Sequence, residues 1–208
     1  MSIDQWIALA LFAFVSSITP GPNNLMATAS GARFGLRRTI PQVAGVTFGF
    51  TVLLWLAASG VAILVTEHPL IGQSLSAIGY VYLGWLSFKL MAAAFRPSGV
   101  ARKKVAALKP LTFWQATAFQ FANPKGWMMA LSTATSFLAG PKQSMVAIIA
   151  VGLLFALINF PCVGAWALMG ARLRGWLEDA SAAWRLRAFN GMMGGLLTAT
   201  LIWMITLR

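Results

Sequence analysis

The chain has 208 residues, of which 59% are hydrophobic and 10% are charged, whereas soluble domains average roughly 45–50% and about 25%. This composition excludes a sizeable soluble domain. The formal net charge is +12 at pH 7, and the basic residues lie between apolar segments. That distribution favours anionic lipid headgroups, and not nucleic acid, as their partner.

Six segments are long and apolar enough to cross a bilayer, which takes about 20 residues for a hydrocarbon core of roughly 30 Å. They are residues 6–29, 39–66, 70–95, 111–138, 143–171 and 186–207. The sequence therefore predicts an all-α integral membrane protein with six transmembrane helices. No composition change marks a second domain, so residues 1–208 are expected to form a single transmembrane domain.

The loops between these segments differ in charge, and this difference predicts their orientation. Alternate loops hold 13 of the 16 basic residues, namely Arg33, Arg37, Arg38, Lys89, Arg96, Arg102, Lys103, Lys104, Lys109, Arg172, Arg174, Arg185 and Arg187. Loops rich in lysine and arginine stay in the cytoplasm. Both termini are therefore predicted to lie outside the cytoplasm.

Two of the six segments contain residues that cannot continue a helix. Thr19-Pro20-Gly21-Pro22-Asn23-Asn24 interrupts the first segment, and Asn123-Pro124-Lys125-Gly126 interrupts the fourth, each near its middle. Proline removes a backbone donor, and in lipid the freed carbonyls need another partner. We predict broken first and fourth helices. Such paired breaks in corresponding places of two halves indicate the central site of a transporter.

The spacing of the breaks suggests an internal repeat. Pro22 and Pro124 are 102 residues apart, and the segments that follow them begin 104 residues apart, at residues 39 and 143. Because each half holds three spans, an odd number, the halves must be inverted relative to each other. We predict repeat one at about 1–96, a cytoplasmic linker at about 97–110 and repeat two at about 111–208.

Two further patterns concern packing. Leu173, Trp176, Leu177 and Trp184 recur at helical spacing within residues 172–187, which predicts a short amphipathic helix lying in the cytoplasmic interface. Gly45-x-x-x-Gly49 and Gly191-x-x-x-Gly195 predict close helix approach. Such glycine pairs more often join helices of one bundle than two protomers, so a homodimer stays open.

Polar residues at the breaks are candidates for substrate binding or gating. With the polar residues that can share their depth, the candidates are Thr19, Pro20, Gly21, Pro22, Asn23, Asn24, Gln120, Asn123, Pro124, Lys125 and Asn159. The alternative is a packing kink in which an asparagine caps the second half-helix. For Asn159, bonding between helices and cavity lining are equally good interpretations.

Lys125 is the most unusual of these candidates, because a lysine at the centre of a span costs about 2.5–3.5 kcal/mol on insertion scales. Three interpretations stay open. The side chain is neutral, or it bonds the backbone carbonyls that the prolines free, or it faces an anionic group of the substrate. The carboxylate of an amino acid would supply such a group, next to the N-terminal end of a half-helix.

The absence of acidic residues from the span centres limits the classes of substrate that the protein could bind. The four acidic residues are Asp4, Glu67, Glu178 and Asp179, all outside the span centres. The spans therefore offer no carboxylate to a metal ion, a cationic substrate or a proton. With one cysteine (Cys162) and one histidine (His68), we expect no catalytic residue, metal or cofactor. A channel or membrane-assembly protein without coupled transport remains the alternative function.

Several motifs together resemble the LysE/RhtB amino-acid exporter family over essentially the whole chain. They are Thr-Pro-Gly-Pro-Asn at 19–23, the glycine-rich 42–49, Tyr82-Leu-Gly84-Trp85, Phe113-Trp114, the Phe-Gln-Phe-Ala-Asn-Pro-Lys of 119–125, and Asn190. The first and fifth motifs are similar to the cysteine and O-acetylserine exporter branch. The resemblance implies a secondary active exporter of a small neutral or polar amino acid, of cysteine, O-acetylserine, homoserine or threonine type. It also implies proton antiport and a bacterial cytoplasmic membrane, which would make both termini periplasmic.

Overall fold

The computed structural model describes residues 1–60, 69–95, 110–138, 144–179 and 183–206. Within these ranges every regular element is an α-helix, so the all-α prediction is confirmed. The helices are α1 (Ile3–Ile18), α2 (Pro22–Phe34), α3 (Leu36–Ala58), α4 (Pro69–Ala94), α5 (Phe113–Phe121), α6 (Pro124–Phe137), α7 (Met145–Glu178) and α8 (Ala183–Thr206). Residues 97–109 of the predicted linker and 61–66 of the second predicted span lie outside the described ranges.

Both predicted interruptions are present, and the two broken segments are built alike. A capping box starts α1, where the Ser2 hydroxyl accepts from the Gln5 N–H and the Gln5 side chain accepts from the Ser2 N–H. Thr112 and Gln115 form the same box at the start of α5. After each break a proline begins the next helix, where its missing N–H costs no hydrogen bond.

In the described part of the chain, the helices that meet the length and apolarity needed to cross a bilayer account for four or five of the six predicted spans. Within the described ranges, α3, α4, α7 and α8 are each long and apolar enough to cross a bilayer, and the pair α1–α2, bent by 54° at its break, makes up to five. Helices α5 and α6 do not reach this length separately. With 9 and 14 residues, they extend roughly 14 and 21 Å against a hydrocarbon core of about 30 Å.

Helix α7 runs parallel to α1–α2, as the order of the contacts along each helix establishes. Phe12 packs edge-on against Phe155 with ring centroids 6.3 Å apart, and further along both helices Ser17 accepts a hydrogen bond from Asn159. Phe155 precedes Asn159 in α7, as Phe12 precedes Ser17 in α1. The first broken segment thus lies along α7.

Helix α3 packs antiparallel to α7 in the centre of the bundle. Thr47 donates to Asn159, whereas Phe50, later in α3, contacts Phe155, earlier in α7, at 5.3 Å between ring centroids. The broken segments pack across the halves: α2 lies mainly on α7, and α5 mainly on α3. The breaks are therefore held against the two central helices.

Glycines allow this close packing. A Cβ at Gly45 would overlap the carbonyl oxygen of Phe113, and one at Gly49 would lie 2.7 Å from that of Thr117. The prediction of close approach at this glycine pair is confirmed, and the neighbour is α5 of the same chain. On the other side, a Cβ at Gly31 would overlap the carbonyl oxygen of Ala167.

Helices α4 and α8 form an antiparallel pair beside the central bundle. Tyr80 donates to the Met204 carbonyl at 3.3 Å, and Ser87 donates to the Gly194 carbonyl at 2.8 Å. A Cβ at Gly191 would be in ordinary contact with the Ala94 Cβ of α4, at 3.6 Å, whereas the prediction for Gly195 is wrong. A Cβ at Gly195 would meet nothing within 4 Å, whereas one at Gly194 would lie 2.8 Å from the Met91 side chain.

The prediction of a separate amphipathic helix over residues 172–187 is wrong for the described part of this range, residues 172–179 and 183–187. Residues 172–178 continue α7, whose 34 residues extend about 51 Å, well beyond the hydrocarbon core. Leu177 is only 2% exposed and packs in one cluster with Leu25 and Phe189. Leu173 and Leu177 therefore face the bundle, whereas Trp176 is 49% exposed.

Candidate functional site

The two breaks meet through Lys125, the second residue of α6. Its Nζ donates to the carbonyl oxygen of Thr19 at 3.1 Å, to the Thr19 hydroxyl at 3.0 Å and to the carbonyl oxygen of Pro20 at 3.3 Å. A side chain from the second break thus supplies the donors that the first break has lost. This geometry matches the second interpretation of Lys125, bonding to freed carbonyls.

The local backbone explains why those carbonyls need a donor. Thr19 is extended, with φ −63° and ψ 144°, and Gly21 is extended as well. Pro20 and Pro22 have no N–H to donate. Gly21 also leaves room for the lysine, because a Cβ there would lie 2.9 Å from Cδ and 3.0 Å from Nζ of Lys125.

A pair of amides joins the halves next to the lysine. Asn23 Nδ2 donates to Gln120 Oε1 at 2.8 Å, and Gln120 Nε2 donates to Asn23 Oδ1 at 3.1 Å. Gln120 is fully buried and also donates to the carbonyl of Ala116. The structure thus brings together two candidates that are 97 residues apart in the sequence.

The other two asparagines at the breaks act on the backbone. Asn24 Nδ2 donates to the carbonyl oxygens of Ser17 and Thr19, both at 2.8 Å, and so holds the end of α1. Asn123 is the N-cap of α6, and its Oδ1 accepts from the Lys125 N–H at 3.2 Å. Both side chains are buried. For these two residues the capping interpretation describes the contacts.

Asn159 connects three helices at the depth of the first break. Its Nδ2 donates to the Ser17 hydroxyl at 3.1 Å, and its Oδ1 accepts from the Thr47 hydroxyl at 3.0 Å. It also lines a cavity between the breaks. Asn159 therefore bonds between helices and lines the cavity, which were the two alternatives.

Two tryptophans complete the breaks, and neither is among the sequence-based candidates. Trp166 Nε1 donates to the carbonyl oxygen of Ile18, the last residue of α1, at 3.0 Å. Trp127 Nε1 donates to that of Phe121, the last residue of α5, at 2.8 Å. Each first half-helix thus ends on an indole donor. The position of Trp127, two residues after Lys125, could have indicated its role at the second break. Trp166 is distant from both breaks in the sequence, so no sequence pattern indicated its role.

A polar cavity of about 30 Å³, which we call the inner cavity, lies between the breaks. This volume holds one or two water molecules and is too small for an amino acid. The residues that line it come from both halves of the chain. They are Ser16, Ser17, Gly21, Pro22, Asn23, Asn24, Phe50, Gln120, Asn123, Lys125, Gly126, Met129, Asn159 and Val163.

A larger cavity of about 470 Å³, the outer cavity, lies between the first break and the end of α8. Its lining residues are Thr19, Pro20, Gly21, Pro22, Lys125, Ala199, Thr200, Trp203 and Met204. Of the predicted site residues, only Pro124 lines neither cavity; it begins α6.

The charge that the described lining residues bring to the two cavities is positive and comes from Lys125. Lys125 is the only titratable side chain among the described residues that line either cavity. The described part of the chain also holds no group of three or more histidine, cysteine or acidic residues that could bind a metal ion. The site offers an ammonium group, five amide side chains and hydroxyls, which suit an anionic group with polar neighbours.

Comparison with known proteins identifies the family. The family model described as "LysE type translocator" matches residues 14–206. The chain is 32% identical to the cysteine/O-acetylserine efflux protein of Salmonella paratyphi A over 159 residues, which cover 76% of this chain and 78% of the relative. It is 31% identical to the protein of that name from Salmonella typhimurium and 28% to that from Escherichia coli, with the same coverage. No solved structure matches significantly. With nearly its whole length matched, this chain belongs to the LysE family of translocators, which are transport proteins and not enzymes.

Proposed function

We propose that this chain is a secondary active exporter of a small neutral or polar amino acid in the bacterial inner membrane. The observation that carries the proposal is the position of Lys125, which lines the inner cavity beside amide side chains and no acid. The relatives named cysteine/O-acetylserine efflux proteins support a substrate of that type. Homoserine and threonine have similar size and polarity and belong to the same class.

The contacts at the site suggest how such a substrate would be recognised. The ammonium of Lys125 is the natural partner of the substrate carboxylate, because its three N–H groups bond only neutral oxygens of Thr19 and Pro20. The amide pair of Asn23 and Gln120 offers donors and acceptors to a polar side chain. A cationic side chain such as that of lysine finds no carboxylate here, so it is disfavoured.

We further propose six spans in two inverted repeats, with α5–α6 as the broken fourth span and both termini periplasmic. Three observations support this arrangement. Both broken segments start with a capping box and resume at a proline. Both first half-helices end on an indole donor. Each broken segment packs on the central helix of the other half. The glycine pattern leaves a homodimer open.

Proton antiport would operate through Lys125, since it is the titratable side chain that lines both cavities. In antiport the proton and the substrate cross in separate steps, so the lysine would release its proton to the cytoplasm before the loaded site turns outward and would take up a proton from the periplasm before the empty site returns. This scheme needs no carboxylate in a span, and none of the described acidic residues lines either cavity.

Counterflow in proteoliposomes tests the proposal. Vesicles preloaded with unlabelled cysteine, O-acetylserine, homoserine or threonine should take up the labelled amino acid saturably, and lysine should not exchange. A pH gradient that is acidic on the side opposite the substrate should accelerate net transport. Unsaturated conductance would instead support the channel alternative, and absence of exchange with all four substrates would contradict the proposed substrate class.

A further inference from the structure

We propose that Lys125 is the gate between the inner cavity and the outer cavity, and that the outer cavity is the exit to the periplasm; this inference rests on the proposed export function. Gly21, Pro22 and Lys125 line both cavities, so they form the wall between them. Gly21 and Pro22 are fixed by the backbone. The lysine side chain is the part of the wall that can move by rotation about its own bonds, once its hydrogen bonds are exchanged.

The contacts of Lys125 suit a gate. In the closed position its Nζ bonds the Thr19 carbonyl and hydroxyl and the Pro20 carbonyl. All three acceptors are neutral, and Thr19 and Pro20 are exposed. When the lysine moves away, water can therefore donate to these acceptors in its place. The lysine in turn can donate to a substrate carboxylate. Opening then needs a side-chain rotation and no movement of a helix.

An exit path requires water in the outer cavity, and the exposed, irregular backbone at Thr19 and Pro20 supports its presence there. Lipid-exposed carbonyls without helical hydrogen bonds do not occur in the hydrocarbon region unless protein or a water-filled cavity covers them. Across the cavity from this break lie Thr200 and Trp203 of α8. An aqueous path along α8 would give the polar break its solvent.

The direction of this path follows from α8. The cavity is lined by Ala199, Thr200, Trp203 and Met204, within the last turns of the helix, whereas Arg185 and Arg187 lie near its first turn. The arginine-bearing end is the predicted cytoplasmic end. On that side of the breaks, α2 buries Leu25 in one cluster with Leu177 and Phe189. The described structure is therefore closed by packed core towards the cytoplasm and by one side chain towards the periplasm.

Cysteine labelling tests the exit cavity without any substrate. In a Cys162→Ser background, Thr200→Cys should react with a membrane-impermeant maleimide added from the periplasm. Ile202→Cys is the matched control, because Ile202 is 56% exposed on the same helix but lines neither cavity. A thiol in lipid stays protonated and reacts slowly, so the expected labelling ratio is at least about tenfold. Equal labelling, or labelling of Thr200→Cys only by a lipid-soluble reagent, would overturn the proposal.

A second pair of variants tests the gate. Val163 is 1% exposed and lines the inner cavity, whereas Val151 is fully buried in the core and lines neither cavity. Val163→Cys should be protected while Lys125 is present and become reactive from the periplasm in Lys125→Ala, and Val151→Cys should stay protected in both. Continued protection of Val163→Cys, or exposure of both cysteines, contradicts a lysine gate.

The Thr200→Cys comparison keeps Lys125, so it decides the exit cavity even if Lys125→Ala does not fold. Normal labelling with no export would refute the substrate proposal alone.

Discussion

Asn23 and Gln120 hold each other by two hydrogen bonds, 2.8 and 3.1 Å long, between the first break and the helix that precedes the second. Each amide is the main partner of the other, and Gln120 is fully buried. Removing one side chain leaves a buried amide that has lost its partner, which costs about 1–3 kcal/mol. The pair therefore acts as one unit.

We expect Asn23→Ala and Gln120→Ala each to abolish export and to lower the melting temperature in detergent while the protein still inserts. The double variant should be about as destabilised as either single one, because the second substitution removes a group that is already unpaired. Thermal unfolding of the four proteins measures this coupling. Additive losses would mean that the two amides act separately.

The sequence was sufficient to predict the breaks but not which residues meet there. Proline and glycine act on their own backbone, so residues 19–24 and 123–126 are readable locally. The bond from Lys125 to Thr19 joins residues 106 positions apart. Helical periodicity gives the face of a helix on which a residue lies, but not the helix that packs against that face.

The same limit explains the two errors in packing. Apolar residues at helical spacing in 172–178 fit an interfacial helix and a continued span equally well, and only the burial of Leu177 decides between them. In α8 the choice between Gly194 and Gly195 depends on the rotation of the helix against α4. A pair of small residues four apart does not specify that rotation.

Lys125 substitutions separate binding from coupling. Lys125→Met should abolish substrate binding, because it removes the cation of both cavities. Lys125→Arg should keep part of the binding but uncouple proton flux, since guanidinium does not release its proton. Lys89→Met is the matched control: Lys89 is exposed on α4 and lies over the Trp85 ring, outside both cavities. Substrate-dependent pH changes in proteoliposomes measure the coupling, and full activity of a folded Lys125→Met protein would refute the role.

Gly21→Ala should displace Lys125 without unfolding the protein. The added Cβ would lie 2.9 Å from the lysine Cδ, and a flexible side chain can move away from it where a backbone carbonyl could not. We expect export to fall at least about tenfold with a melting temperature close to that of the unmodified chain. Gly164→Ala is the control, because a Cβ there meets nothing within 4 Å and alanine favours the helix. Equal export by both variants would mean that the lysine position is unimportant.

Gly31→Ala, unlike Gly21→Ala, should lower the stability of the fold. Its Cβ would overlap the carbonyl oxygen of Ala167, so α2 and α7 would have to move apart. Overpacking of this kind typically costs about 1–3 kcal/mol. Gly195→Ala, where the Cβ meets nothing, is the control. Melting temperatures in detergent distinguish the two, and an unchanged value for Gly31→Ala would contradict the close packing of these helices.

We expect the indole donors at the two breaks to stabilise the fold through their hydrogen bonds. Trp166→Phe and Trp127→Phe keep most of the apolar ring but remove the hydrogen bonds to the carbonyls of Ile18 and Phe121. Each change should cost about 1–3 kcal/mol, since a carbonyl at a helix end then loses its donor in a site that excludes most water. Trp55→Phe provides the matched comparison. The indole nitrogen of Trp55 is buried and bonds nothing in the described part of the chain, so its removal loses no hydrogen bond. We expect Trp55→Phe to unfold at or above the temperature of the unmodified protein, and the other two variants to unfold at lower temperatures. If all three variants shift equally, the indoles act by packing alone and the two breaks do not depend on them for a donor.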